Sequence, residues 1–177
     1  MQLTQFTDYA LRILLFLGHQ PTVSVADGAA GPESERLPAV LDIGRAYGIS
    51  VHHLSKVAQR LGQLGFIITA RGRTGGLRLA RAPSEIRLGE LVRATEQLNL
   101  VECFDPDKNT CPINGACELK RVLREASQQF LQTLDRYTLA DVMTRRQELV
   151  QLWGKGRADP SRAPARASRP PRVRSTA

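Results

Sequence analysis

The chain has 177 residues, 42% hydrophobic and 5% aromatic, with 25 Lys and Arg against 17 Asp and Glu, for a formal net charge of +8. That length suits one compact domain with appendages, and the apolar content excludes wholesale disorder. The best apolar run, Ile13 to Leu17 behind Arg12, is far shorter than the about twenty residues of a membrane span, and a start whose first charge is Asp8 lacks the basic region of a secretory signal, so a cytoplasmic protein without membrane partners is expected.

The spacing of Phe6, Ala10, Ile13, Leu14 and Leu17 predicts a first helix, capped by Thr4 or Thr7 and running to about Gly18. Residues 20–36, with Pro21, Gly28, Gly31 and Pro32 among small and polar residues, read as a surface loop. From Pro38 the helical period returns in Val40, Ile43 and Tyr47, and Gly48 is placed as the left-handed residue that ends this helix. Ser50 is positioned to cap the next one, which carries Val51, Leu54, Val57, Ala58, Leu61 and Leu64 toward the core and His52, His53, Ser55, Lys56, Gln59 and Arg60 toward solvent. Two short helices joined by a glycine turn, the second with a polar and basic outer face, form a helix-turn-helix. Phe66–Ala70 and Leu77–Ala80, separated by the turn Gly72–Gly76, predict a β-hairpin next to it, and the pair reads as a winged helix.

An ordinary helical hairpin beside a β-hairpin is the alternative, and charge decides against it. Residues 43–83 hold seven basic side chains and no acid, whereas residues 1–42 and 84–153 are each net acidic. An acid-free basic segment on such a motif fits double-stranded DNA. Ser50, His52, His53, Ser55, Lys56, Gln59 and Arg60 are placed for the major groove and its phosphates, and Arg71 and Arg73 at the wing for an adjacent minor groove. No nucleophile and base pair or glycine-rich phosphate loop stands out, so no enzyme is expected.

After Pro83 a helix carries Leu88, Leu91, Val92 and Thr95, and the cysteine segment follows. A longer helix starts near Cys117 with Leu119, Val122, Leu123, Ala126, Phe130 and Leu134 on one stripe. A small domain has little core left for that stripe, so a second subunit is its expected cover, with packing onto the first helix as the alternative. Thr138–Trp153 continues weakly helical to a stop at Gly154, and residues 154–177, with four prolines and seven basic residues, are expected to be a disordered tail. The expected fold is mainly α with a small β-hairpin wing: a winged helix-turn-helix over 1–83, a cysteine loop and dimerisation helix over 84–153, and the tail.

Cys103, Cys111 and Cys117, separated by seven and by five intervening residues, lie in a segment rich in Asp, Asn, Pro and Gly, a turn-rich loop rather than a helix or strand. Three cysteines are an odd set for disulfides. They supply three thiolates where zinc or an iron-sulfur cluster takes four ligands, and the lack of a C-x-x-C pair weighs against zinc. The spacing leaves a cluster, zinc and unligated thiols open.

The start MQLTQFTDYALRILLFLG, the stretches YGISVHHLSKVAQRLGQLGFI and ARGRTGGLRLAR, and the segments LVECF, NTCPINGACELK and FLQTLDRYTLADV together resemble a family of dimeric winged-helix regulators that carry iron-sulfur clusters, and within it the nitric oxide sensing repressors of nitrosative-stress genes. The likeness spans about residues 1–150 and leaves out the 20–36 loop and the tail. It implies a homodimer on a promoter operator with an inverted repeat, nitric oxide as the signal, and an iron-sulfur cluster, 4Fe-4S in preference to 2Fe-2S, held by Cys103, Cys111 and Cys117. It makes Asp8, in FTDYA, the fourth ligand, given by the partner subunit; by spacing alone Asp8 is a first-turn acid favoured by the helix dipole or paired with Arg12. Another branch of the family uses a histidine near the cysteines, and no histidine follows His53 here. Two other readings stand beside this one: the same fold sensing iron-sulfur or redox status, and a zinc-binding or electron-transfer protein whose basic face docks an acidic partner.

Overall fold

Thr4 opens the first helix, α1 (Gln5–Gly18), by accepting the Thr7 amide at 3.4 Å. The computed structural model describes residues 2–20, 36–72 and 75–156. Of the expected face of α1, Ala10, Ile13, Leu14 and Leu17 are buried while Phe6 is only partly so, and Thr7 and Phe16 are buried as well, because the helix packs against several neighbours rather than one. Of the loop predicted over 20–36, residues 21–35 lie outside the described residues.

Helix α2 (Val40–Tyr47) starts where the Asp42 carboxylate accepts the Ala39 amide at 2.8 Å and ends at Gly48, whose φ of 66° is the left-handed value expected there. Helix α3 (Val51–Gln63) follows, with Leu54, Val57, Ala58 and Leu61 in the core. Two details differ from the sequence expectation. Ser50 precedes the helix but its side chain makes no capping hydrogen bond, and Val51 is 39% exposed, lying over Gly44 at the rim of the α2–α3 contact instead of inside it.

Strands β1 (Ile67–Ala70) and β2 (Gly76–Leu79) pair antiparallel, with Ile67 opposite Leu79 and Ala70 opposite Gly76. The first strand starts one residue late because the Phe66 amide closes α3 on the Leu61 carbonyl at 3.0 Å while its ring enters the core. The Leu77 amide donates to the Pro38 carbonyl at 2.8 Å, tying the wing to the start of α2.

Helix α4 (Leu88–Thr95) rests on α1 and receives the end of α5 (Glu118–Asp135). At that junction Arg93 grips both Asp135 oxygens at 2.5 and 2.6 Å, and Arg87 donates to the Asp135 carbonyl at 2.8 Å. Gly89 sits under the same carboxylate, where a β-carbon would collide with it. Hydrogen bonding from Arg93, aided by the charges of Arg93 and Arg87, holds the Asp135 carboxyl below the usual carboxylate value. This clamp is therefore complete above the unfolded-state value and is lost as pH falls through the lower folded-state one. An NMR titration of Asp135 is expected to show the depressed value, and Arg93→Ala to return it toward normal; an ordinary value in the parent protein would disprove the clamp.

No residue of α5 is buried, and Leu119 and Val122 are 63% and 49% exposed. The last helix among the described residues, α6 (Arg146–Gly156), returns to α2 and buries Trp153 against Phe16, Tyr47 and His19, at ring-centroid distances of 5.1, 5.8 and 5.3 Å. Gly154 does not stop it: the helix runs through Gly154 to Gly156, so the tail expected from 154 begins inside a helix, and residues 157–177 lie outside the described residues. One core cluster takes in α1, α2, α3, the wing, Leu91, Leu139 and Trp153. Among the described residues no helix is long and apolar enough to cross a membrane.

Candidate functional site

The outer face of α3 follows from its period: with Leu54, Val57, Ala58 and Leu61 facing inward, His52, His53, Ser55, Lys56, Gln59 and Arg60 must face out, and all six are exposed. Ser50 is half-buried. The His52 and His53 rings stand 6.1 Å apart, and the Ser55 hydroxyl donates to the Val51 carbonyl at 2.8 Å, so Ser55 is partly spent inside the helix. Arg71 at the wing is exposed; Arg73 lies outside the described residues. Of the described basic residues between 43 and 83, Arg81 alone is in an ion pair among the described residues, with Glu90 at 2.9 Å, and its guanidinium covers the Phe66 ring. Lys56, Arg60 and Arg71 keep their charge available for phosphate.

The cysteine loop leaves the end of α4 and returns at the start of α5. Cys103 stands in a single 3-10 turn, Glu102–Phe104, a regular element inside the predicted loop; Cys117 is the residue before α5. All three thiols are free and partly exposed. The loop is stapled by its own polar groups. Glu102, beside Cys103, accepts the amide and hydroxyl of Thr110, beside Cys111, at 2.5 and 2.7 Å, and these bonds hold its carboxyl below the usual carboxylate value. Lys120 donates to Asn114 at 2.6 Å, and Arg124 lies 5.7 Å over the Phe104 ring. Two of the three flanking segments are thus fixed to each other, and the loop is fixed to α5.

Among the described residues no group of three or more His, Cys, Asp or Glu is close enough together to hold a metal ion, so the chain alone does not gather the predicted ligand set. Its chemistry nonetheless fits: three unpaired thiols on one loop are soft donors suited to iron-sulfur iron, one short of four. Asp8 is engaged within its own chain, its two oxygens taking Arg12 at 3.0 and 2.9 Å, which is the pairing its spacing suggested. Arg12 in turn lies 5.6 Å over the Tyr47 ring at the end of α2. Burial pushes the Tyr47 phenol up to about 12, against lowering by a hydrogen bond with Trp153 and by the Arg12 charge.

Three features escaped the sequence reading. Glu96, the residue after α4, binds the first turn of α1. The Glu102 staple spans eight residues through a side chain that reads as an ordinary surface acid. His19 is 2% exposed, with Nδ1 2.7 Å from the Leu15 carbonyl and Nε2 without a hydrogen-bond partner among the described residues, beside a 620 Å³ cavity that Arg36 and Arg146 also line. Nothing in the local pattern marks any of them, because the contacts of Glu96 and Glu102 and the burial of His19 all arise from packing.

The profile of the Rrf2 family, described as iron-dependent transcriptional regulator, matches residues 3–145. The HTH-type transcriptional regulator NsrR of Halalkalibacterium halodurans is 46% identical over 153 residues, covering 86% of this chain and 97% of that one. The HTH-type transcriptional regulator NsrR of Geobacillus kaustophilus is 47% identical over the same length, covering 86% and 96%. Among solved structures, T. potens IscR has a TM-score of 0.60 at 20% identity, covering 84% of this chain and 90% of that one, a likeness of fold. The resemblance drawn from the motifs and the winged-helix fold class both hold, and these relatives carry the names of regulators, not of enzymes or electron carriers. With the profile matching most of its length, the chain belongs to the Rrf2 family of transcriptional regulators.

Proposed function

We propose that the chain is a homodimeric repressor that binds a promoter operator through α3 and the wing and releases it on exposure to nitric oxide, sensed at an iron-sulfur cluster, to control nitrosative-stress genes. The observation that carries this reading is the cysteine loop: three unpaired thiols on one stapled loop, in a chain that is 46% identical over 153 residues to a regulator named NsrR. Cys103, Cys111 and Cys117 would hold the cluster, 4Fe-4S in preference to 2Fe-2S, and Asp8 of the partner subunit would complete the ligand set. When bound, the cluster supplies iron that a small diatomic can ligate.

The residues of the chain do the rest. Asp8 has two claimants, Arg12 of its own helix and the loop of the other subunit. Because Arg12 rests on Tyr47, a change of claimant is felt at the end of α2 and so at the helix-turn-helix. The exposed apolar stripe of α5 supplies the pairing surface, and a two-fold dimer presents two α3 helices to the half-sites of an inverted repeat. In this division of labour residues 1–83 read DNA and residues 84–153 sense and pair.

Anaerobic purification with iron and sulfide analysis, an absorption spectrum and a nitric oxide titration of operator binding tests the reading. Bound iron and sulfide with operator release by nitric oxide is expected; zinc without sulfide defeats it. The family description as iron-dependent favours a second signal, iron or cluster supply, and a loaded protein whose DNA affinity ignores nitric oxide would transfer the proposal to that signal. For the interface, Lys56→Ala and Arg60→Ala are each expected to weaken operator binding and to reduce the slope of log affinity against log salt by about one, the signature of a lost phosphate contact. An unchanged slope removes that residue from the interface.

A further inference from the structure

The first turn of α1 is held from outside its own helix. Glu96 ends α4, its amide closing on the Val92 carbonyl at 2.9 Å, and its carboxylate takes the Thr4 amide at 3.1 and 3.2 Å and the Thr4 hydroxyl at 3.0 Å. The Thr7 hydroxyl donates to the same carboxylate and lies 3.1 Å from that of Thr95. Thr4 is the cap of α1 and Thr7 is buried in its first turn, so a carboxylate 92 residues along the chain satisfies the free end of the helix, where amide donors and the helix dipole favour negative charge. Asp8 follows Thr7 directly, and the segment that begins after Glu96 reaches Cys103 seven residues later. One side chain therefore joins the turn that presents Asp8 to the root of the cysteine loop.

From this geometry we infer that Glu96 is a positioning residue for Asp8: it fixes the rotation and height of the first turn of α1, so that the Asp8 carboxylate is delivered to the cysteine loop of the partner subunit. The inference rests on the reading of Asp8 as the fourth ligand. It also has a consequence for the dimer. Each chain ties the root of its own cysteine loop to the ligand that it lends across the two-fold axis, so disturbance at one sensing site reaches the other.

The test compares the anaerobically reconstituted full-length dimer with Glu96→Ala, Glu96→Gln, Thr7→Val, Asp8→Ala and the Asp8→Ala/Glu96→Ala double variant. It reads iron and sulfide per chain, the visible absorption and circular dichroism spectrum, and the rate of iron loss to a chelator. Asp8→Ala is expected to change the spectrum and speed iron loss. Glu96→Ala is expected to reproduce the spectral change and to speed loss about 10–100-fold, the range for groups that orient a metal ligand. Glu96→Gln, which keeps an acceptor for the threonine hydroxyls, recovers part of the loss. The double variant matches Asp8→Ala alone, because Glu96 acts through Asp8. Should Glu96→Ala fail to fold, Thr7→Val, close in shape, carries the same comparison. An altered Asp8→Ala beside a Glu96→Ala protein with parental spectrum and loss rate overturns the inference and leaves the Asp8 reading standing, as do additive effects in the double variant. An Asp8→Ala protein identical to the parent overturns both.

Discussion

Replacement of Cys111 by serine is expected to bring bound iron and sulfide to background while the apo protein keeps its fold and melting temperature. The thiol is half-exposed, unpaired and packed into no core cluster, so its loss removes a ligand without opening a cavity. A serine hydroxyl is a hard donor that stays protonated near neutral pH, and a loop left with two thiolates supplies only two of the four ligands of a closed site. Cys103→Ser and Cys117→Ser are expected to do the same. Asp8→Ala is expected to be milder, since a carboxylate is the weakest member of the set. Iron and sulfide analysis after anaerobic reconstitution, with a circular dichroism melt of each apo protein, makes the measurement. A serine variant that loads fully takes that cysteine out of the ligand set.

Trp153→Ala is expected to lose about 3–5 kcal/mol of stability, the range for emptying a large aromatic from a packed site. Trp153 is 8% exposed and fills the space between Phe16, Tyr47 and His19, so its removal unseats α6 from α1 and α2 together. Against the about 5–15 kcal/mol that holds a typical domain, this is a large fraction. Leu152→Ala, one residue away but 60% exposed, is the internal control and is expected to stay within about 0.5 kcal/mol. Urea unfolding of the apo protein decides. Equal effects at 152 and 153 would show that α6 does not dock on the helix-turn-helix body through Trp153. Because Tyr47 is also the residue under Arg12, Trp153→Ala reaches the end of α2 that the Asp8–Arg12 pair touches.

The elements that the sequence itself determined are those whose evidence is local. The period of α1 and α3, the left-handed turn at Gly48 and the hairpin from Ile67 to Leu79 are written within a few residues of where they form. The same holds for the acid-free basic segment from 43 to 83 and for the three cysteines proposed as ligands, since charge and donor type are properties of side chains and survive any packing. Periodicity erred at edges and over one longer stretch, since Thr138–Trp153, expected to be weakly helical throughout, holds only a 3-10 turn at Ala140–Val142 before α6 opens at Arg146. It sent Val51 to the core because it sees a face but not where the neighbouring helix ends, and it stopped α6 at Gly154 because a glycine's propensity cost is small beside the burial of Trp153 next to it.

Tertiary structure alone decided which distant groups meet. Glu96 binds Thr4, Arg93 grips Asp135 42 residues on, and Trp153 closes over Phe16, and in each case the sequence shows only an ordinary surface acid, an ordinary base or a lone aromatic. Such contacts are fixed by how amphipathic elements bury their faces against each other, a condition on the whole chain that leaves no periodic trace around either partner. The basic segment from 43 to 83 thus marks the surface proposed to meet DNA, and the Glu96 contact ties the root of the cysteine loop, and Trp153 ties α6, to the body that carries that surface.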